Sequence, residues 1–302
     1  MGYGSLGCYI NGVTILIVYI IITSEWKGMS KRIIIGFFKS IGAQFKKAVF
    51  YLNCYQYYYK ENSNEGPFFI VGVGRSGTHF LCKILNHVNG LNDYYEGKES
   101  PLFFGKVTRK AVHNKRLTRL HIGYYRLLQS KVNDDILIDQ THPNLWHAEQ
   151  LISAFPHAKF IVIERELEQV ITSMKKHKYV SQWGEDFNKY PHPNPFLGTT
   201  KNNLEIYQNV CTLQRNVFKW YSHILKGRQL KNCYPHHVYI LKYDDLSKNM
   251  DLEVTNLCNF LGVKSDYTEV EFNKDALTKK RNLTPEEKNM IKEAINMCMN
   301  IN

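Results

Sequence analysis

The stretch from Pro67 to Phe80, Pro-Phe-Phe-Ile-Val-Gly-Val-Gly-Arg-Ser-Gly-Thr-His-Phe, constrains this chain more than any other, because an apolar run breaks into a glycine-rich loop and then helical spacing. Phe68 to Val71 read as a buried strand, and Phe80, Leu81, Ile84, Leu85 and Val88 recur at helical intervals after Thr78. Gly72, Gly74 and Gly77 permit a tight turn with close backbone approach. Amide groups at such a helix start converge on one spot, where the helix dipole also favours an anion. The stretch therefore predicts a phosphate cradle.

The 302 residues, 44% of them hydrophobic, suffice for one large domain with appendages. The seven cysteines (Cys8, Cys54, Cys82, Cys211, Cys233, Cys258, Cys298) are scattered and form no C-x-x-C, which disfavours a disulfide framework or zinc site and fits a reducing compartment. The net charge of +12 first suggests nucleic acid or a membrane surface. Its distribution argues otherwise for most of the chain. Lys27 to Lys60 holds seven Lys or Arg and no Asp or Glu, so the rest is only mildly basic, as suits anionic substrates without nucleic acid.

Residues 1–60 read as a hydrophobic and basic N-terminal extension, 61–66 as a polar linker, and 67–302 as the catalytic domain. The apolar stretch 8–23 is shorter than the roughly 18 to 20 residues that span a bilayer comfortably. No Lys or Arg precedes it, whereas Lys27, Lys31 and Arg32 follow, so the positive-inside rule keeps the body cytoplasmic even if it spans. The competing reading starts the protein at Met29. Ser30 to Tyr59 interleaves Lys31, Arg32, Lys39, Lys46 and Lys47 with Ile33, Ile34, Phe37, Phe38, Ile41, Phe45, Val49 and Phe50. It reads either as a basic amphipathic helix on the anionic inner face of the membrane or as a helix packed on the domain.

Beyond the cradle the chain alternates strands (136–139, 159–163, 238–241) with helices (109–131, 146–154, 166–176, 203–226, 251–261). This alternation predicts an α/β fold of three layers around a mainly parallel central sheet, with P-loop-like nucleotide-binding topology. Residues 177–200, rich in aromatics and proline, predict a long loop beside a substrate cleft. Thr284-Pro285-Glu286-Glu287 has a capping hydroxyl, proline at the first helical position and Glu three residues after the cap, and starts the last helix.

Three anion-binding readings compete for the cradle. Gly72, Gly74 and Gly77 spell the dinucleotide pattern, but the acidic strand end it needs some twenty residues on is not evident. A nucleoside-triphosphate loop needs Lys where this chain has Thr78, which disfavours a kinase-like phosphotransferase. The third reading places the cation at Arg75, ahead of Ser76-Gly77-Thr78. A second constellation joins it: the strand from Lys159 delivers Arg165 at its carboxyl end, and Ser173 follows eight residues later on a helix. Arg offers a planar fork for a phosphate and Ser a hydroxyl donor.

Together the two constellations resemble those of sulfotransferases that use 3′-phosphoadenosine 5′-phosphosulfate. Asp139-Gln-Thr-His-Pro, Ala154-Phe-Pro-His-Ala-Lys-Phe and Leu241-Lys-Tyr-Asp-Asp-Leu also look like segments of that family. The resemblance implies that Gly74, Arg75, Ser76, Gly77, Thr78 and His79 cradle the 5′-phosphosulfate, that Arg165 and Ser173 hold the 3′-phosphate, and that Phe80 stacks on adenine. Phe80 reads equally as core. Glu96, twenty-one residues beyond Arg75, matches the general base of the tyrosyl-protein branch, with Glu99, His79 and His142 as competitors. Gln140 stands where some members carry Lys, which leaves Arg75 as the cation for the transition state. No metal constellation appears, and the resemblance requires none. The implied reaction is sulfuryl transfer to a hydroxyl, of a carbohydrate or lipid-linked glycan, at the cytoplasmic membrane surface. The alternatives are a kinase-like phosphotransferase or a non-catalytic nucleotide-binding protein on the same fold.

Overall fold

The computed structural model describes residues 31–60, 66–93, 100–177, 184–266 and 283–301. Residues 8–23, most of the expected linker (61–65), Glu96, Glu99 and Trp183 lie outside them. The chain divides into two compact units, residues 1–52 and 53–302. Helix α1 (Lys31–Tyr58) supplies the described part of the first unit, and its last residues belong to the second. Among the described residues no helix is long and apolar enough to cross a membrane.

Five strands form the centre of the second unit: β1 (Phe68–Gly72), β2 (Leu91–Asn92), β3 (Ile136–Asp139), β4 (Lys159–Glu164) and β5 (Val238–Lys242). All their pairings are parallel, in the order β2-β3-β1-β4-β5. β1 and β4 are apolar on both faces because parallel strands are covered on both sides. Phe68, Ile70, Ile161 and Ile163 pack with Leu81 and Leu85 of α2 (Thr78–Leu85) in one core cluster. On the opposite face, Phe69 stacks on Phe160 with centroids 5.0 Å apart and meets Tyr125 edge-on at 5.2 Å.

From β1 the chain leaves for the β2 edge, returns at β3, and then crosses to the other side of β1 to lay down β4 and β5. The switch point therefore falls between β1 and β4, the place where open α/β sheets bind ligands beyond their strand ends. In register, Gly72 lies opposite Ile163, so both strands finish at the same level.

The region expected to be helical from 109 to 131 contains two helices, α3 (Ser100–Val112) and α4 (Arg119–Gln129). They separate at a turn where Asn114 has φ 49°, a left-handed conformation that Asn tolerates. Thr118 then starts α4, its backbone N–H and hydroxyl both bonded to Nδ1 of His121. Gly123 of α4 lies so close to the end of α1 that a Cβ there would stand 1.7 Å from the Cys54 carbonyl oxygen. Tight helix contact thus explains a glycine in mid-helix. The Arg126 guanidinium reinforces the contact by donating to the carbonyls of Tyr58 and Lys60.

After the short 3₁₀ helix His142–His147 come α5 (Ala148–Ala154) and α6 (Leu167–Lys175). The long helix expected over 203–226 breaks into α7 (Leu204–Asn209) and α8 (Thr212–Cys233), because Val210 and Cys211 are extended and Gln214 caps the Cys211 N–H. α8 buries Val217, Phe218 and Ile224 and leaves Leu225 exposed. α9 (Tyr243–Lys248) and α10 (Met250–Leu261) follow β5.

The last helix, α11 (Pro285–Ile301), starts as its capping signal predicts. The Glu287 N–H donates to Thr284 Oγ1 at 3.2 Å, and the Glu287 carboxylate accepts the Thr284 N–H at 3.0 Å. Ile291, Ala294 and Cys298 share the resulting buried stripe with Val217 and Phe218 of α8. Thr284→Ala is expected to cost about 1 kcal/mol, read as a lower urea midpoint with an unchanged slope.

Candidate functional site

The loop between β1 and α2 has the strand, tight turn and helix start that the glycine pattern predicts. Gly77 has φ 109°, and a Cβ on it would stand 2.4 Å from the Tyr243 ring, so only glycine fits. Arg75 has φ 76°, a costly conformation for a long side chain, of the kind that collects at binding sites. Ser76 is fully buried, and its Oγ has no hydrogen-bond partner among the described residues. Such an orphan costs stability unless a ligand completes it, and an anion in the cradle would accept its proton.

The second constellation converges on the first. Arg75 Nε donates to Ser173 Oγ at 3.0 Å, across 98 residues of chain. Arg165, directly beyond β4, donates from Nη1 to the Arg75 carbonyl at 3.4 Å and from Nε to Gln169 Oε1 at 2.9 Å. Its guanidinium lies 4.0 Å from the Tyr243 ring centroid, and Trp220 Nε1 of α8 donates to its carbonyl at 3.0 Å. Phe80 is half-buried against the same tyrosine, with centroids 6.3 Å apart. Thr78 is buried in the first turn of α2, while His79 stands on its open side. Two cations, a buried serine hydroxyl and a helix start thus meet at the switch point, an arrangement able to hold two separate anionic groups.

A third group comes from the 3₁₀ helix after β3. His142 Nε2 lies 3.3 Å from where a Cβ on Gly74 would stand, and its ring is 5.2 Å from Phe104 of α3. Burial holds the pKa of His142 well below the ordinary imidazole value, and Lys219, His223, His79 and Arg75 add their repulsion. The ring is therefore neutral at physiological pH and able to accept a proton. Gln140, two residues earlier, has a buried Oε1 without a partner among the described residues.

Lys219 is the feature that sequence reasoning missed. It is only 4% exposed, its ammonium lies 5.1 Å from the Phe196 ring, and burial pushes its pKa down to about 8. His223, one turn further, accepts from Trp146 Nε1 at 3.0 Å and donates from Nδ1 to the Lys219 carbonyl at 2.8 Å. Burial, with Lys219 second, takes the pKa of His223 to about 3. The available signal was a polar stripe, Asn216, Lys219 and His223, on a helix face that otherwise packs. That stripe brings a positive charge to His142.

Fold and site together define an α/β protein with P-loop-like topology whose switch point gathers groups able to hold anions. The family model for the sulfotransferase domain matches residues 65–297, and the chain belongs to that family. It is a sulfotransferase, and the family uses 3′-phosphoadenosine 5′-phosphosulfate as donor.

Similar solved structures include the sulfotransferase domain from the curacin biosynthetic pathway, 16% identical over 78% of this chain and 98% of that one, with TM-score 0.46. A sulfotransferase from Alicyclobacillus acidocaldarius is 15% identical over 78% and 95%, with TM-score 0.45. A mouse sulfotransferase complexed with PAP is 14% identical over 82% and 88%, with TM-score 0.40. No curated protein matches the chain.

Proposed function

We propose that residues 67–302 are the catalytic domain and transfer the sulfuryl group of 3′-phosphoadenosine 5′-phosphosulfate to a hydroxyl of a carbohydrate or lipid-linked glycan. The observation that carries the donor site is the meeting of Arg75, Ser173 and Arg165 beside the orphaned Ser76 hydroxyl. Gly74, Arg75, Ser76, Gly77, Thr78 and His79 take the 5′-phosphosulfate, Arg165 and Ser173 the 3′-phosphate, and Phe80 the adenine face. In the reaction the acceptor oxygen bonds to sulfur as the bond from sulfur to the 5′-phosphate oxygen breaks. That oxygen keeps the electron pair, the acceptor proton passes to a base, and Arg75 stabilises the charge that develops.

Resemblance favours Glu96 as the base. A second reading rests on this chain's own geometry: His142, neutral and packed at Gly74, takes the proton. Glu96→Gln and His142→Asn separate the two, since the true base should cost about 10² to 10⁴ in transfer rate and the other little. If His142 is the base, activity falls as pH drops through its pKa. Lys219 repels the proton on His142, so Lys219→Met should raise that pKa and move the acid limb to higher pH. An unmoved limb with full folding would remove the second reading.

The donor site is tested by thermal-shift titration of the full chain with 3′-phosphoadenosine 5′-phosphate beside ATP plus magnesium. Selective stabilisation by the bisphosphate, lost in Arg165→Ala, is expected. Stabilisation by ATP alone would overturn the donor assignment. The basic residues of α1 support peripheral binding to the anionic inner face of the membrane, and co-sedimentation with anionic vesicles that survives deletion of residues 1–52 would refute it.

A further inference from the structure

Helix α1 has two opposed faces. Cys54, at the close contact with Gly123 of α4, is fully buried, and Tyr57 and Tyr58 beside it are half-buried. On the other side Phe45, Val49, Leu52, Tyr55 and, just past the helix end, Tyr59 are exposed, Leu52 by 57% and Tyr59 by 61%. At 3.6 residues per turn, their spacing puts all five within about a third of the helix circumference, roughly opposite Cys54. An apolar stripe of this kind, turned away from the packed face, marks a surface with a partner.

Charge of one sign surrounds the stripe. Lys46 and Lys47 are exposed near its start and Lys60 at its end. Arg119 of α4 donates from Nη1 to the Tyr59 hydroxyl at 3.3 Å, and its guanidinium lies 5.6 Å from the Tyr58 ring centroid. The Tyr55 and Tyr59 hydroxyls meet at 3.1 Å at the same end. From Lys27 to Lys60 the chain has no Asp or Glu. A second copy docked along this stripe would bring two cationic rims together with no carboxylate on either α1 to pair them, which opposes self-association.

An anionic bilayer complements both stripe and rim. Its acyl chains take the apolar side chains, its phosphates pair with the lysines and Arg119, and its interface suits tyrosine, whose ring is apolar and whose hydroxyl is polar. We propose that the stripe inserts into the headgroup and acyl boundary of an anionic bilayer, with Phe45, Val49 and Leu52 among the acyl chains and Tyr55, Tyr59 and Arg119 at the phosphates. The inference rests on the peripheral-membrane reading above and deepens it. The lysines draw the chain to the surface, and the apolar face keeps it there when salt screens them.

The test sediments the full chain with vesicles of phosphatidylserine and phosphatidylcholine, at low salt and in about 0.5 M NaCl. Wild type should stay partly bound in salt. Val49→Gln/Leu52→Gln keeps good helix formers on the exposed face, so its urea midpoint should stay close to wild type, while partitioning should weaken at least about tenfold. Brominated lipid should quench Val49→Trp beyond the quenching of the wild-type tryptophans. Equal binding by the double variant, or no added quenching, overturns the proposal and leaves binding by the lysines alone. A wild-type dimer that the double variant converts to monomer in sedimentation velocity would assign the stripe to a second copy and also overturn it. Failure of the wild type to sediment with vesicles at low salt would instead remove the peripheral-membrane reading itself.

Discussion

Arg75→Ala is expected to lower sulfuryl transfer by about 10² to 10³, the range found when one donor to a developing charge is removed from a preorganised site. Arg75 is held in a left-handed backbone conformation, and its Nε donates to Ser173 Oγ, which fixes the plane of its guanidinium. Alanine keeps the same Cβ at φ 76° and so the same backbone strain, and the variant should fold about as well as the wild type in urea titration. Transfer therefore falls while folding stays close to wild type. Arg75→Lys should recover little, because an ammonium cannot bond Ser173 and an anion in the same planar geometry. Full transfer by Arg75→Ala would show that the cradle does not hold the reacting group.

Gly77→Ala should damage binding and stability together. A Cβ there would stand 2.4 Å and 2.6 Å from two Tyr243 ring carbons, and φ 109° is strained for any L side chain. Tyr243 is 5% exposed and packs under the Arg165 guanidinium, so displacing its ring displaces the cation assigned to the 3′-phosphate. A loss of about 1 to 3 kcal/mol is expected from overpacking, measured by urea titration. Bisphosphate affinity should fall as far as in Arg165→Ala, and combining the two changes should add little because both act through one contact. Normal affinity in a folded Gly77→Ala would mean that Tyr243 does not position Arg165.

The two deeply buried central strands were legible because each is a short apolar run bounded by turn residues, and Thr284 with Glu287 announced the last helix by a local hydrogen-bond exchange. Element boundaries were less legible. The split of 109–131 depends on Asn114 and Thr118, and the break at Val210 on a Gln214 cap, and each is a local alternative to a helical pattern that continues through it.

The turn between β1 and α2 and the placement of Arg165 and Ser173 beyond β4 could be read from the chain because backbone conformation demands glycine at fixed offsets and a strand end presents its next residue at the sheet edge. That Arg75 and Ser173 touch, that Gly77 faces Tyr243, and that Lys219 lies buried near His142 were decided by the packing of segments distant in sequence. The local rules of a polypeptide act over a few residues. The charge state of a buried histidine or lysine depends on which distant groups share its dry surroundings, and only the folded chain brings those groups together.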